Sequence, residues 1–200
     1  MTSQAPADRE STGIEDAVLD ATRDCVLAYG VRRTTLTDVA KRAGVSRMSI
    51  YRRWPDVQSL VADLMSREWH AVLVAAAAAG LKRRGRQRTR GVAEIVAVVR
   101  GLREHPLLRK IKEVDPEILL PYMLDRRGAS QEEMLEFVVQ ALRTGQQDGS
   151  IRAGDPERMG RAILLAAQPF ALSAALATDK YDATELDAEL TALLDAYLSP

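Results

Sequence analysis

The chain has 200 residues, of which 46% are hydrophobic, enough to bury a sizeable core in one domain or in a small domain joined to a larger one. Its 28 basic and 28 acidic residues cancel, so any attraction for a polyanion has to be local rather than spread over the whole surface. A single cysteine, Cys25, excludes an internal disulfide and suits a reducing compartment.

Alanine and leucine are abundant, aromatics are few, and no run of alternating β-branched residues reads as a strand. The predicted class is all-α. Residues 1–12 are polar and aperiodic and are read as a flexible N-terminal arm without an apolar signal core. The longest weakly polar run, Ala71 to Leu81, is too short to span a bilayer, so no membrane partner and a cytoplasmic location are expected.

From Ile14 the residues Ala17, Val18, Ala21, Cys25, Ala28 and Tyr29 recur at helical spacing as far as Gly30. Cys25 falls on the apolar face, which makes it a small core residue. The stretch Thr34–Trp54, TTLTDVAKRAGVSRMSIYRRW, then reads as two short helices and a tight turn. Thr35 caps the first, with Asp38 three residues on. Leu36, Val39, Ala40 and Ala43 give that helix one apolar face. Gly44 ends it, since glycine takes the left-handed conformation at low steric cost. Ser46 caps the second helix, whose inner side is Ile50 and Trp54.

Together with the first helix, this is a three-helix module over residues 13–55 with a helix-turn-helix at its centre. Arg47, Met48, Ser49, Tyr51, Arg52 and Arg53 remain outward. Between Val31 and Trp54 seven basic residues stand against one acid, Asp38, within a chain that is neutral overall. A dedicated polyanion site, with donors suited to a DNA duplex, accounts for that pattern, and a solvated three-helix module that binds protein or nothing accounts for it less well.

Pro55-Asp56 ends the second helix of the pair and starts a long one, about Asp56 to Ala79, bridging the module to a helical domain over residues 56–200. The run LKRRGRQRTR at 81–90 carries six basic residues but no helical register or interleaved aromatic, and is read as a solvated loop in preference to a second nucleic-acid contact. Further helices are expected at Val92–Arg103, Pro106–Val114, Pro116–Arg126, Gln131–Gln147, Pro156–Ala177 and Ala183–Leu198, with a kink at Pro169.

The last two helices present Met159, Ile163, Ala166 and Phe170, and Leu190 and Leu194, at helical spacing. They are expected to pair with their symmetry mates in a homodimer, because a helix-turn-helix usually reads a two-fold operator. Trp69, Tyr122, Met123, Phe137, Gln140 and Gln168 are candidates for lining a small-molecule pocket, although such side chains more often serve as core.

Catalysis finds no support. His70 and His105 stand far apart, Glu132, Glu133 and Glu136 form a solvated helix face, and no nucleophile, metal-ligand or phosphate-loop motif is present. No cofactor, catalytic group or metal site is expected.

The motif A-x-x-x-G-V-S over Ala40–Ser46, followed by IYRRWPD over Ile50–Asp56, resembles the TetR/AcrR family of bacterial transcriptional regulators, most strongly from Ile14 to Leu64. The segment GSIRAGDPERMGRAILLAAQPFALS resembles the dimer-helix region of actinobacterial members. The resemblance implies a homodimer with an N-terminal DNA-binding module, a C-terminal ligand and dimerisation domain, and repression of a double-stranded DNA operator relieved by a small-molecule effector.

By position it places Ser46, Arg47, Met48 and Tyr51 to Arg53 on DNA, with Tyr51 on phosphate and Thr35 and Thr37 on backbone. One departure stands out. Val57 and Gln58 occupy the place of a lysine usual in the family, which removes one phosphate contact that Arg52 and Arg53 can supply. An effector-independent architectural DNA binder, or an activator, is the alternative reading.

Overall fold

The computed structural model describes the backbone of residues 5–81, 84–177 and 179–200, with side chains from residue 13 onward. Ten α-helices follow in chain order: α1 Ala5–Tyr29, α2 Leu36–Ala43, α3 Arg47–Arg53, α4 Val57–Leu81, α5 Gln87–Glu104, α6 Pro106–Val114, α7 Leu120–Leu124, α8 Ala129–Gln147, α9 Pro156–Leu172 and α10 Ala183–Leu198. Short 3-10 turns lie at Pro116–Ile118 and Ala174–Leu176. No strand occurs among the described residues, and the fold is all-α.

Several boundaries differ from the sequence expectation for local reasons. Helix α1 begins at Ala5, within the stretch read as an arm; residues 1–4 lie outside the described residues. Pro6 is the only strong breaker there, and a proline in a helix's first turn removes an N–H that has no helical partner. Helix α5 starts at Gln87, so the end of the basic run is helical rather than loop, while Lys82 and Arg83 fall outside the described residues. Arg88 there pairs with Asp195 at 3.1 Å, and Arg90 donates to Gln87 at 2.8 Å. The segment read as one helix from Pro116 to Arg126 is a 3-10 turn followed by α7, with Pro121 in the first turn of the latter. Helix α9 stops at Leu172, three residues beyond Pro169, instead of kinking and running on to Ala177.

The chain divides into two compact units. One comprises residues 1–68 and 106–121, the other residues 69–105 and 122–200. Helix α4 gives its first half to the first unit and its second half to the other. The sequence division placed 106–121 in the larger domain.

In the first unit, Val18, Ala21, Cys25 and Val26 of α1 are buried, as are Val39 and Ala40 of α2, Ile50 of α3, Leu60 and Leu64 of α4, and Leu107 and Ile111 of α6. Burial pushes the Cys25 thiol above its ordinary pKa, which leaves it a core side chain. Arg67 reaches Asp20 at 2.8 Å and Arg23 reaches Glu68 at 3.1 Å, tying α1 to the first half of α4.

In the second unit, Val92, Val96 and Val99 of α5, Leu142 of α8, Met159 and Ile163 of α9, and Leu190, Leu194 and Leu198 of α10 form one apolar core. This corrects the expected dimer surface. Met159, Ile163, Leu190 and Leu194 are buried inside the unit, and Phe170 packs partly against the same core. Only Ala166 of that set is exposed. Helical spacing identified one apolar stripe on each helix, and the stripe of large side chains is the one the chain buries in itself. The outward faces are different: Ala162, Leu165, Ala166 and Pro169 on α9, and Leu193 and Tyr197 on α10, with Leu165 71% exposed.

Candidate nucleic-acid interface

The site is built from local signals. Thr35 accepts the Asp38 N–H at 3.1 Å, and its hydroxyl donates to the Asp38 carboxylate at 2.6 Å, which satisfies one of the orphan donors at the start of α2. Gly44 closes α2 with φ of 68°, the left-handed conformation that glycine adopts without penalty. Ser46 accepts the Ser49 N–H at 3.1 Å and caps α3. Ile50 and Trp54 point inward and are almost wholly buried.

Trp54 is also pinned by polarity, since its indole N–H donates to Asp63 on α4 at 2.8 Å. Sequence reasoning missed Asp63, because a carboxylate nine residues beyond an aromatic has no local signature. Asp56 caps the start of α4 by accepting the Ser59 N–H at 2.7 Å, and that hydrogen bond pulls its carboxyl below the ordinary range. The outward face of α3 is thus held by a cap in front and by an anchored tryptophan behind.

On that face Arg47, Met48, Tyr51, Arg52 and Arg53 are exposed, Met48 by 78% and Tyr51 by 52%; Ser46 is exposed and Ser49 half-buried. Thr35 is exposed at the start of α2 and Thr37 is half-buried beside it. The cations are not equivalent. Arg32, Arg42 and Arg53 each pair with carboxylates: Arg32 with Asp115 and Glu117, Arg42 with Asp24 at 3.3 Å, and Arg53 with Glu15 at 3.3 Å.

The Arg53 guanidinium also lies 5.8 Å from the Trp54 ring centroid, a cation–π contact. Arg33, Lys41, Arg47 and Arg52 carry no ion pair among the described residues. An exposed guanidinium without a carboxylate partner is ready for a phosphate or a guanine edge, at no cost of a broken pair. Arg47 and Arg52 on α3 therefore stand ahead of Arg53 as candidates for such a contact.

The six pocket candidates differ in exposure and packing. Trp69 is buried, with its ring 5.0 Å edge-on from His105, and Phe137 packs against the apolar core. Tyr122 lies under Arg126 and accepts through its carbonyl from Gln131. Met123 and Gln140 are exposed, and Gln168 is half-buried. A groove of about 380 Å³ does lie between α5 and α10, with Val92, Val96, Ala97 and Thr191 among its walls, and none of the six lines it. His70 is paired with Glu133. Among the described residues no cluster of three His, Cys, Asp or Glu side chains could hold a metal ion, and no helix is long and apolar enough to cross a membrane.

Residues 18–64, covering the end of α1 through the start of α4, match the family described as bacterial regulatory proteins, tetR family. The chain is 37% identical over 191 residues to an uncharacterized HTH-type transcriptional regulator of Mycobacterium bovis, covering 96% of each chain. It also shares its fold with AlkX, a TetR family repressor of a Dietzia strain, with a TM-score of 0.67 at 20% identity over 92% of this chain and 94% of that one. A complex of SmeT with triclosan matches with a TM-score of 0.65 at 20% identity, over 94% and 92% of the two chains. The full-length likeness to the mycobacterial regulator, the family match over the helix-turn-helix and the exposed basic face of α3 converge on regulation rather than catalysis. The chain belongs to the TetR family of helix-turn-helix transcriptional regulators.

Proposed function

We propose that this regulator is a homodimeric repressor that binds an inverted-repeat DNA operator and leaves it when a small, largely apolar effector binds the larger helical unit. The observation that carries the DNA part is the outward face of α3, where Arg47 and Arg52 stand exposed and unpaired beside Tyr51. Two such helices in adjacent major grooves call for half-sites about one helical turn apart. Dimerisation through the outward faces of α9 and α10 is supported by Ala162, Leu165, Ala166 and Leu193, small and apolar side chains that are left exposed on those faces.

Control by an effector rests on likeness and on α4. SmeT is described as the repressor of a multidrug efflux pump, and one structure holds it with triclosan. Helix α4 runs through both units of this chain, so it is a continuous covalent route from the larger unit to the DNA-reading one. An effector releases DNA only by preferring the non-binding arrangement, so operator and effector must weaken each other's binding reciprocally.

The test is selection of duplexes from a random pool by the full-length protein, followed by a thermal-shift screen of hydrophobic compounds. An inverted repeat and a compound that both stabilises the protein and releases the duplex are expected. The effector-independent reading is favoured by the packing of Trp69 and Phe137 into cores, and it wins if stabilising compounds leave duplex affinity unchanged.

A further inference from the structure

The turn between α1 and α2 is short and heavily bonded. Thr34 donates through its side chain to the Gly30 carbonyl at 2.8 Å and through its backbone to the Val31 carbonyl at 3.1 Å. Immediately after it comes Thr35, the cap of α2. Whatever fixes this turn fixes where α2 begins and, through Gly44, where α3 lies.

One group reaches the turn from far along the chain. Asp115 follows α6 and is only 2% exposed, and its carboxylate accepts the Val31 N–H at 2.6 Å. The Val31 amide has no helical or turn partner of its own, since the backbone bonds of the turn use Gly30 N–H and Thr34 N–H instead. Asp115 is itself held, because its N–H donates to Ile111 at the end of α6 and its carbonyl accepts from Ile118 in the following 3-10 turn. Outside this buried bond, Arg32 spans both acids, with its Nε 3.9 Å from Asp115 and its Nη2 2.5 Å from Glu117.

Gly30 makes the approach possible. Its φ of 86° is left-handed, and a Cβ there would sit 2.6 Å from the Asp115 carboxylate and 2.9 Å from Val114. Two independent constraints, conformation and space, thus demand glycine opposite the acid. A charge-assisted hydrogen bond to a buried backbone N–H is among the stronger polar contacts, and leaving either partner unmet in the interior is costly.

We infer that Asp115 is a positioning residue for DNA binding: by clasping the Val31 amide against Gly30, it fixes the α1–α2 turn to the end of α6 and so sets the start of the helix-turn-helix. This rests on the reading of α3 as the DNA-contacting helix. The clasp makes residues 106–121 part of the DNA-reading machinery, although they lie far beyond α3 in the chain. A signal that shifts α6 would act on the helix-turn-helix through this buried bond together with the packing of α6 on α1.

The experiment uses the full-length protein and the duplex that the wild type enriches from a random-sequence pool. Asp115→Ala, Asp115→Ser and Asp115→Asn are compared by duplex affinity, helix content and hydrogen exchange of the Val31 amide. Asp115→Ala should bind the duplex about tenfold more weakly at unchanged helix content, with faster exchange at Val31, whereas Asp115→Asn, which keeps an acceptor in place, should recover most of both.

Asp115→Ser, which keeps a polar atom but retracts it from Val31, serves where the alanine variant does not fold and should behave as expected of Asp115→Ala. Faster Val31 exchange with wild-type affinity would overturn the positioning role, as would an affinity loss that only tracks lost helix content or that Asp115→Asn fails to rescue. A wild type that enriches no duplex at all would instead overturn the DNA reading, and the inference with it.

Discussion

The helix-turn-helix and the larger helical unit use the same alphabet of short helices and apolar stripes, yet they dispose of their surfaces in opposite ways. In residues 35–54 the apolar side chains are few and mostly inward, and the exposed side is rich in donors without partners. In residues 122–200 the outward faces of α9 and α10 keep Leu165, Leu193 and Tyr197 exposed, while the larger part of each stripe is consumed by the core. A single turn of polar residues suffices to mark a nucleic-acid face. An apolar stripe does not say whether it faces the chain's own interior or another copy, because burial in either place rewards the same side chains.

The largest expected effect separates those two fates. Leu190→Glu places a carboxylate in the core of the second unit and should cost several kcal/mol, seen as loss of helix content or a large drop in Tm. Leu165→Glu and Leu193→Glu change exposed positions and should leave the fold intact while converting dimer to monomer in light scattering. A folded, monomeric Leu190→Glu protein would restore the interface first read from the spacing and erase the contrast.

Next in size are the arginines of α3. Arg47→Ala and Arg52→Ala should each weaken duplex binding by about 1–3 kcal/mol, and whichever contacts phosphate should lower the salt slope by about one. Arg53→Ala differs, since it also breaks the pair with Glu15 and the stacking on Trp54, so it should lower Tm as well as affinity. Equal Tm for all three variants would show that Arg53 is as free as its neighbours.

Much of this site was legible in the sequence because its determinants are local. Thr35 with Asp38, Gly44, and Ser46 each act within four residues, and each has the predicted capping or turn role in the structure. The contacts that hold the module in place were not legible. Asp63 on Trp54 and Asp115 on Val31 join residues 9 and 84 positions apart, and a lone acid in a helix or turn carries no mark of the backbone it will meet. The partial use of Arg32, Arg42 and Arg53 by carboxylates was invisible for the same reason: net charge counts a paired cation as fully as a free one. Helix starts were missed where polar or basic residues carry no apolar periodicity, as in the residues before Ile14 and in the run at 81–90, because the start of α1 at Ala5 and of α5 at Gln87 leaves no apolar stripe to read.

The caps give a smaller, purely local effect. Ser46→Ala removes the acceptor for the Ser49 N–H and should destabilise by about 1 kcal/mol, with affinity falling as the start of α3 frays. Thr35→Ala should do the same at α2. Chemical denaturation measures both. Losses far above this size would mean that the caps carry tertiary as well as local contacts.

The smallest expected effect lies in the second unit and depends on pH. Glu94 of α5 is buried against α4, where Gly80 leaves it room, and no hydrogen bond to its carboxylate is present among the described residues. Burial therefore raises its pKa above the ordinary glutamate value, and the nearby Arg90 offsets only part of that rise. A group whose pKa is higher in the folded state binds its proton more tightly there. The stability it contributes is full below the unfolded glutamate value of about 4.3 and is lost as pH rises through the folded value. At neutral pH the carboxylate is a net burden on the unit. Glu94→Gln, which keeps the shape without the charge, should raise Tm at pH 7, and the gain should shrink as pH falls toward 4. The basic face of α3 has no such buried charge, so the pH dependence of this gain belongs to the larger unit alone. A gain that is equal at both pH values would mean that the substituted amide improves packing and that the carboxylate is not desolvated. A loss at pH 7 would mean that the charged form holds a partner in the folded protein.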